Sequence, residues 1–302
     1  MSRNLLNWIL FIVLSFIWGS SFLLMKLGLE KLTAYQVASI RIVSSGLVLL
    51  PTAFKYITKI PRKKIFIIFM SGVLGSLLPA FLFCKAEQGL DSALAGTLNA
   101  LTPIFVIIIG AMFFKAKTSF HKVLGIIIAF SGSILLLLSN GIQGSQNYFY
   151  IAYIIIATIC YGINVNMVSK SLTGIGSLQI AAVALTTVAI PALVVLIATG
   201  IFNHSLADGK VLAAIGYSSL LGIAGTAVAS ILFYQLMKSA GPVFASMVTY
   251  GIPAIAIMWG ISYGETVGWK QVICLLIILS GVFVANYEML ISAARTRFAK
   301  HQ

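Results

Sequence analysis

The amino-acid sequence predicts an all-α integral membrane protein with ten transmembrane helices, arranged as two inverted repeats of five helices each. Three observations lead to this prediction: the composition, the number of long apolar runs, and short patterns that recur in both halves of the chain. The chain has 302 residues, of which 60% are hydrophobic and only 9% are charged. Because soluble domains carry about 25% charged residues, we expect most of this chain to lie in a lipid bilayer.

Ten apolar runs are long enough to cross that bilayer, for which a helix needs about 20 largely apolar residues. The first run is too long for the hydrophobic region of a signal peptide, which has about 7–15 residues, so we interpret it as the first span. The linkers are short and leave almost no sequence for a domain outside the membrane. The runs cover residues 5–29, 34–54, 65–86, 92–114, 121–139, 148–169, 177–200, 211–236, 243–264 and 270–291.

The positions of the Lys and Arg residues predict how these helices are oriented. Cytoplasmic loops of membrane proteins are enriched in both residue types. If the N-terminus is cytoplasmic, most of the 20 Lys and Arg residues fall in cytoplasmic loops and tails, including the basic stretch 55–64. We therefore expect both termini to lie in the cytoplasm. The net charge of +14 resides in short loops at the ends of apolar runs, which argues against nucleic acid as a partner.

The two halves of the chain, residues 1–142 and 147–302, share patterns that predict an internal repeat. Residues 93–111 align with residues 243–261 at an offset of 150. Because each half contains an odd number of spans, the second half must be inverted relative to the first. Two further blocks align in the same order: Ser15, Trp18, Gly19 and Ser21 with Thr158, Tyr161, Gly162 and Asn164, and Ser131-Gly132 with Ser280-Gly281.

A proline interrupts the fourth and ninth runs at matching depth. Pro103 follows Asn99 by four positions, and Pro253 follows Thr249 by four positions. A proline inside a helix cannot donate to the carbonyl four residues back, so we expect the carbonyls of Asn99 and Thr249 to be freed. A bilayer tolerates a freed carbonyl only beside protein or a watery cavity. Paired breaks related by a repeat predict the substrate site of a transporter; a kink satisfied by a neighbouring helix is the alternative.

Small polar and aromatic side chains on the first, fourth, sixth and ninth spans complete the predicted site. In the first span they recur at spacings of three and four residues, which places them on one helix face. A polar group beside an aromatic ring suits a cavity that binds an organic molecule, whereas close helix packing is the competing interpretation. The predicted cavity residues are Trp18, Ser21, Asn99, Thr102, Tyr161, Asn164, Ser246 and Thr249.

Three charged residues lie near the predicted outer ends of the second and third spans. Arg41 is inside the second span, and Lys85 and Glu87 end the third. A charge at the centre of a spanning helix costs about 2.5–3.5 kcal/mol on insertion scales, so such residues usually have a role. We expect Glu87 to pair with Arg41 or Lys85 in an outer gate, or these charges to hold an anionic group of the cargo. Extension of the side chains toward lipid headgroups is the alternative.

Four segments occur in an order that is typical of a known family. They are Trp18-Gly19-Ser20-Ser21-Phe22, Ala38-Ser39-Ile40-Arg41, Asn99-Ala100-Leu101-Thr102-Pro103 and Gly264-Glu265. Together with ten spans, they resemble the EamA-type branch of the drug/metabolite transporter superfamily over residues 5–291. The resemblance implies an inner-membrane carrier that works by alternating access around a central cavity. The chain departs from the family pattern at Phe114-Lys115, where such a half usually ends its fourth span with a glycine-glutamate pair.

These observations predict a secondary transporter of a small metabolite such as an amino acid or a nucleobase, and the resemblance implies that it is an exporter. A non-transporting scaffold and an intramembrane enzyme are the alternatives. An enzyme is disfavoured because His204 and His301 lie outside the spans and His121 is only the first residue of the fifth, which leaves no deeply buried histidine for catalysis. We therefore expect no catalytic residue, metal or cofactor. The expected partners are the substrate and the bilayer, with the chain a monomer or a homodimer.

Overall fold

A computed structural model describes residues 3–90, 92–139, 148–205, 207–262, 268–285 and 287. Within these ranges every regular element is helical, and no strand occurs. The Gly264-Glu265 pair and the end of the tenth run lie outside the described residues. The α-helices are α1 (Arg3–Leu29), α2 (Ala34–Ile57), α3 (Arg62–Gly72), α4 (Leu78–Ala86), α5 (Ser92–Asn99), α6 (Thr102–Phe114), α7 (Phe120–Ser139), α8 (Tyr148–Ser171), α9 (Ser177–Ala198), α10 (Gly209–Gly222), α11 (Ala229–Ala240), α12 (Pro242–Ser246), α13 (Ile252–Ser262) and α14 (Trp269–Ala285).

Within the described residues, six helical stretches are apolar and long enough to cross a membrane, and four shorter apolar stretches accompany them. Large side chains such as Phe54, Phe113 and Phe149 are 71%, 73% and 76% exposed. Soluble proteins rarely expose so large an apolar surface, whereas lipid covers it in a bilayer. The chain is an all-helical, multi-pass membrane protein. The six long stretches are Arg3–Leu29, Ala34–Ile57, Arg62–Ala86, Phe149–Ser171, Ser177–Ala198 and Gly209–Ala240, and the four shorter ones are Thr102–Phe114, Phe120–Leu136, Pro242–Ile255 and Trp269–Ala285.

The third and eighth apolar runs are each interrupted by a π-helical segment. Residues Val73–Leu77 lie between α3 and α4, and residues Ile223–Val228 lie between α10 and α11. Their first residues are 150 positions apart, which is the offset of the aligned sequence blocks. Single π-helical turns inside α-helices are rare and occur often at functional sites. The sequence does not predict these segments, because one extra residue in a turn hardly alters a uniformly apolar pattern.

The fourth apolar run is broken just before Pro103. α5 ends at Asn99, and α6 begins at Thr102. Pro103 therefore occupies the first turn of α6, where an N–H has no partner within the helix and proline is readily accepted. Across the break, the hydroxyl of Thr102 donates to the side-chain oxygen of Asn99 at 3.2 Å.

The ninth run is broken at the matching position, before Pro253. α12 ends at Ser246, residues Met247–Gly251 form a 3₁₀ helix, and α13 begins at Ile252. The prediction that the Thr249 carbonyl is freed is wrong, because the Ile252 N–H donates to it. A 3₁₀ turn pairs each carbonyl with the N–H three residues ahead rather than four. The backbone thus satisfies this carbonyl one residue before the proline.

Close helix contacts organise the bundle. α2 packs along α9, and α7 packs along α14. A Cβ on Gly46 would lie 2.9 Å from the Leu185 carbonyl oxygen, and a Cβ on Gly281 would lie 2.8 Å from Ala129 Cα. Such small residues let backbones approach and gain dispersion contacts, which matter in lipid because apolar burial no longer drives association. α1 contacts α10, α11 and α13, whereas α8 contacts α3, α4 and α6.

The start of α2 is fixed by a capping box. The hydroxyl of Thr33 accepts from the Gln36 N–H at 3.3 Å, and the Gln36 side chain accepts from the Thr33 N–H at 3.0 Å. These bonds satisfy two donors that a helix start leaves without partners. The Gln36 amide also donates to the Thr199 carbonyl at 3.0 Å, just beyond the end of α9. One side chain therefore both starts α2 and joins it to the other half of the chain.

Candidate substrate-binding cavity

A cavity of about 100 Å³ lies between the two halves of the chain. A buried water molecule requires about 10–15 Å³, so the space has the size for a small organic molecule. Its wall includes residues of both π-helical segments and of both broken runs. The lining residues are Trp18, Ser21, Phe22, Met25, Arg41, Gly75, Ser76, Phe83, Asn99, Thr102, Tyr161, Asn164, Val165, Gly225, Ser230, Phe233, Tyr234, Ser246, Thr249 and Ile252.

All eight residues that the sequence analysis assigned to a cavity line this one. They come from α1, α5, α6, α8, α12 and the 3₁₀ helix, so the fold assembles them from distant parts of the chain. Six of them are buried polar side chains, the exceptions being the partly buried rings of Trp18 and Tyr161. Pro103 and Pro253 are not in the lining; they begin the helices that carry it. The role of the eight residues in binding stays a prediction.

Aromatic rings form much of the apolar wall. Phe83 stacks on Tyr161 with the ring centroids 6.2 Å apart, and Phe22 meets Phe83 edge-on at 6.1 Å. On another part of the wall, Trp18 lies 5.3 Å from Phe233. Aromatic pairs in such tilted and stacked arrangements hold one another in place and present flat apolar faces. This wall suits the ring or aliphatic body of an organic molecule.

Hydrogen bonds tie several lining residues to the irregular backbone around them. The indole N–H of Trp18 donates to the carbonyl of Gly225, in the second π-helical segment, at 3.1 Å. The hydroxyl of Thr249 donates to the Ser246 carbonyl at 3.0 Å. These bonds fix side-chain orientation where the helices depart from α geometry. A binding site needs side chains that are held in position before the ligand arrives.

Asn164 presents a polar atom that the protein leaves unsatisfied. The residue is 3% exposed, and its amide nitrogen lies against Gly75. Its side-chain oxygen accepts no hydrogen bond from the residues that the structure describes. A buried acceptor without a partner costs about 1–3 kcal/mol. Asn164 lines the cavity, so an N–H or O–H of a ligand that reaches this oxygen would satisfy it.

Arg41 lines the cavity from α2 and carries a positive charge into it. Its Nε donates to the hydroxyl of Thr226 at 2.7 Å. Thr226 belongs to the second π-helical segment and is 3% exposed. The guanidinium is therefore held inside the bundle by the opposite half of the chain. This position favours an interior role for Arg41 over extension toward lipid headgroups.

Lys85 and Glu87 do not belong to the cavity lining. The ammonium group of Lys85 lies 5.3 Å from the ring centroid of Tyr35, a cation–π contact. The contacts described for Arg41 and Lys85 are thus with Thr226 and Tyr35, and the ion pair with Glu87 stays a prediction. Among the described residues, no group of three or more His, Cys, Asp or Glu side chains is placed to hold a metal ion.

Sequence analysis missed several lining residues because no local signal sets them apart. Phe83 and Phe233 look like any aromatic residue in an apolar run, and only the tertiary contacts identify them. Gly75 and Gly225 did carry a signal, since they are separated by the repeat offset of 150 residues. Alignment of the third run with the eighth matches Gly75 with Gly225.

Comparison with known proteins gives a consistent result. The sequence profile of the EamA-like transporter family matches residues 6–138 and again residues 148–287. An uncharacterized transporter of Archaeoglobus fulgidus is 24% identical over 92% of this chain and 98% of its own. The uncharacterized inner membrane transporter YedA of Escherichia coli K12 is 24% identical over 89% of this chain and 87% of its own. A probable amino-acid metabolite efflux pump of the same organism is 26% identical over 48% of this chain and 46% of its own.

A solved crystal structure shares the fold. It superposes with a TM-score of 0.70 at 15% identity and covers 95% of this chain and 98% of its own. The two family matches together extend over nearly the whole sequence, and both halves contribute to the cavity. The chain belongs to the EamA-like transporter family.

Proposed function

We propose that this protein is a secondary transporter that exports a small organic metabolite, such as an amino acid or a nucleobase, by alternating access. The observation that carries the proposal is the cavity between the two halves, with a broken helical run from each half in its wall. Lipid excludes irregular backbone unless it lines a cavity or is buried in protein. In secondary transporters, paired broken helices mark the substrate site. We assign the substrate contacts to the eight predicted cavity residues.

Ten transmembrane helices in two inverted repeats, over residues 1–142 and 147–302, are part of this proposal. Matching contacts support it. α1 contacts α11 and α13, while α8 contacts α4 and α6. By the sequence offsets, α8 is the counterpart of α1, and α4 and α6 are the counterparts of α11 and α13. Equivalent contacts on both sides of one cavity favour two conformations of similar energy, each open to one side, as alternating access requires.

The proposal also includes the cellular location of the protein and the direction of transport. We infer an inner-membrane protein with both termini in the cytoplasm, because Lys and Arg residues concentrate on that side. The names of YedA and of the probable amino-acid metabolite efflux pump support the compartment and export, respectively. The substrate and the bilayer are the proposed partners. The transporter works as a monomer or a homodimer and needs no cofactor.

Counterflow in proteoliposomes tests the proposal. Vesicles containing the purified protein are preloaded with one unlabelled amino acid or nucleobase, and uptake of the same labelled compound is followed. We expect saturable accumulation for at least one compound. Asn99→Ala removes a buried polar group from the cavity and should lower the rate about 10-fold or more, in line with the loss of a buried hydrogen bond to a ligand.

Ser131→Ala is the matched control. The Ser131 hydroxyl is exposed and bonds to the Ile127 carbonyl of its own helix at 2.9 Å, far in sequence from the cavity residues. This variant should transport like the parent protein. If correctly folded protein accumulates no compound of either class, the transporter proposal fails and a scaffold becomes the better interpretation.

A further inference from the structure

The charge balance of the cavity is uneven. Arg41 is the sole Lys, Arg, Asp or Glu among the described lining residues. Its positive charge is therefore not balanced by an acidic side chain in the wall. Glu87 lies outside the lining. A cationic group placed among aromatic rings attracts an anion.

The hydrogen bond to Thr226 uses only part of the donor capacity of the Arg41 guanidinium. The guanidinium carries five N–H groups in a planar fork, and the one on Nε bonds to Thr226. Within the described ranges, the two terminal nitrogens of Arg41 donate no hydrogen bond to the protein. Parallel N–H groups on a guanidinium match the two oxygens of a carboxylate. The anchored arginine therefore presents its two terminal nitrogens, which can donate to both oxygens of a carboxylate.

The backbone that carries Arg41 is held as firmly as its side chain. A Cβ on Gly222 would lie 3.0 Å from the carbonyl carbon of Arg41, so α2 and α10 are in direct contact there. The hydroxyl of Ser44 donates to the Arg41 carbonyl at 3.2 Å. Thr226, which holds Nε, donates in turn to the Leu221 carbonyl at 3.4 Å. The arginine is preorganised, which lowers the entropy cost of binding.

The side-chain oxygen of Asn164, in the same wall, narrows the chemical class of the cargo further. The side-chain oxygen of Asn164 can only accept a hydrogen bond, and within the described part of the chain it has no donor. Arg41 and Tyr161 line the same cavity, and Asn164 follows Tyr161 by three positions on α8. A ligand beside Tyr161 therefore meets a cation and a bare acceptor.

We propose that the cargo carries a carboxylate, bound by the terminal nitrogens of Arg41, and an N–H or O–H donor, bound by the side-chain oxygen of Asn164. The inference rests on the proposed transport function and names its substrate class. Amino acids and other carboxylates with a donor group fit it, whereas nucleobases, which are uncharged at neutral pH, do not. Phe22, Phe83 and Tyr161 contact the apolar body. Thr226 is a positioning residue that acts through Arg41.

Binding of matched compounds to the purified full-length protein tests the inference. The panel contains L-phenylalanine, L-phenylalanine amide and 3-phenylpropanoate, then L-leucine, L-leucinamide and 4-methylpentanoate, and finally adenine and uracil. Affinities are obtained from ligand-dependent thermal shifts. We expect each amino acid to bind roughly 10- to 100-fold more tightly than its amide, as the loss of a charge-assisted hydrogen bond predicts. The acids without an amino group should bind with intermediate affinity.

Variants show which residues discriminate between an amino acid and its amide. Arg41→Gln should abolish the difference between amino acid and amide, and Arg41→Lys should keep only part of it, because lysine lacks the planar fork. Thr226→Val should reduce the acid-to-amide ratio without unfolding the protein, an effect that a purely structural role would not produce. Asn164→Leu should remove the preference for L-phenylalanine over 3-phenylpropanoate. Lys31→Gln makes the same charge change at an exposed position outside the cavity lining and should leave every ratio unchanged.

Three results would overturn the inference: equal binding of acid and amide by the parent protein, a ratio that survives in Arg41→Gln, or preferred binding of adenine or uracil. Counterflow separates this inference from the transport function. A nucleobase that accumulates saturably would remove the carboxylate assignment and leave the transporter standing. An amino acid that binds through Arg41 but shows no counterflow would support the carboxylate assignment and contradict the transport function.

Discussion

The side-chain amide of Asn164 lies against Gly75 in the first π-helical segment, leaving no room for a methyl group there. Ser21, the counterpart of Asn164 in the aligned sequence blocks, stands in the same relation to the second segment. A Cβ on Gly225 would lie 2.7 Å from the Ser21 hydroxyl oxygen. The approach of a polar side chain to a π-helical glycine therefore occurs twice, once from each half, and both pairs line the cavity.

Gly75→Ala and Gly225→Ala should each destabilise the protein by about 1–3 kcal/mol, the usual range for overpacking. The added methyl group would displace the Asn164 amide in one case and the Ser21 hydroxyl in the other. Gly216→Ala is the control, because a Cβ at Gly216 has no heavy atom within 4 Å. It should be neutral or slightly stabilising. Thermal unfolding in detergent measures all three, and indistinguishable melting temperatures would contradict the close contacts.

Trp18→Phe should keep the ring contact with Phe233 but lose the N–H bond to the Gly225 carbonyl, at a cost of about 0.5–1.5 kcal/mol. Trp259→Phe loses a comparable bond, since the Trp259 indole donates to the Ser20 hydroxyl at 2.9 Å outside the cavity lining. Both variants should lower the melting temperature to a similar extent. Only Trp18→Phe should slow counterflow. Equal transport by the two variants would show that the Trp18 bond has no part in the site.

Tyr234 and Ser71 should behave as an energetically coupled pair. Their hydroxyls are 2.9 Å apart, and both residues are buried. Tyr234→Phe and Ser71→Ala should each cost about 1 kcal/mol, and the double variant should cost less than the sum, with a coupling of about 0.5–1.5 kcal/mol. Denaturation of the four proteins measures this coupling. Strict additivity would mean that the two hydroxyls do not bond.

Cysteine labelling tests the orientation. Thr58 and Ala207 are exposed in linkers. The Lys and Arg distribution assigns these linkers to the cytoplasm and to the outside, respectively. The native Cys84, Cys160 and Cys274 are buried, so their background labelling should be low. In intact cells, an impermeant maleimide should modify Ala207→Cys and spare Thr58→Cys until the membrane is opened. The opposite pattern would contradict the proposed topology.

Much of this protein was determined by its sequence. Composition and run length fix a helical membrane protein, because only helices satisfy every backbone group within one apolar segment. Pro103 and Pro253 determine where two runs break, since a proline in mid-helix removes a hydrogen bond whatever surrounds it. The positions of Asn99 and Asn164 in apolar runs predicted an interior location, because lipid does not pair with amides.

Only the tertiary structure decided the rest. It satisfied the Thr249 carbonyl through a 3₁₀ turn, directed Arg41 to Thr226 on the other half of the chain, and brought Phe83 into the cavity wall. Lipid tails are as apolar as leucine side chains, so apolar periodicity does not distinguish a helix face that meets lipid from one that meets protein. Which residues share a cavity is set by contacts between segments far apart in the chain.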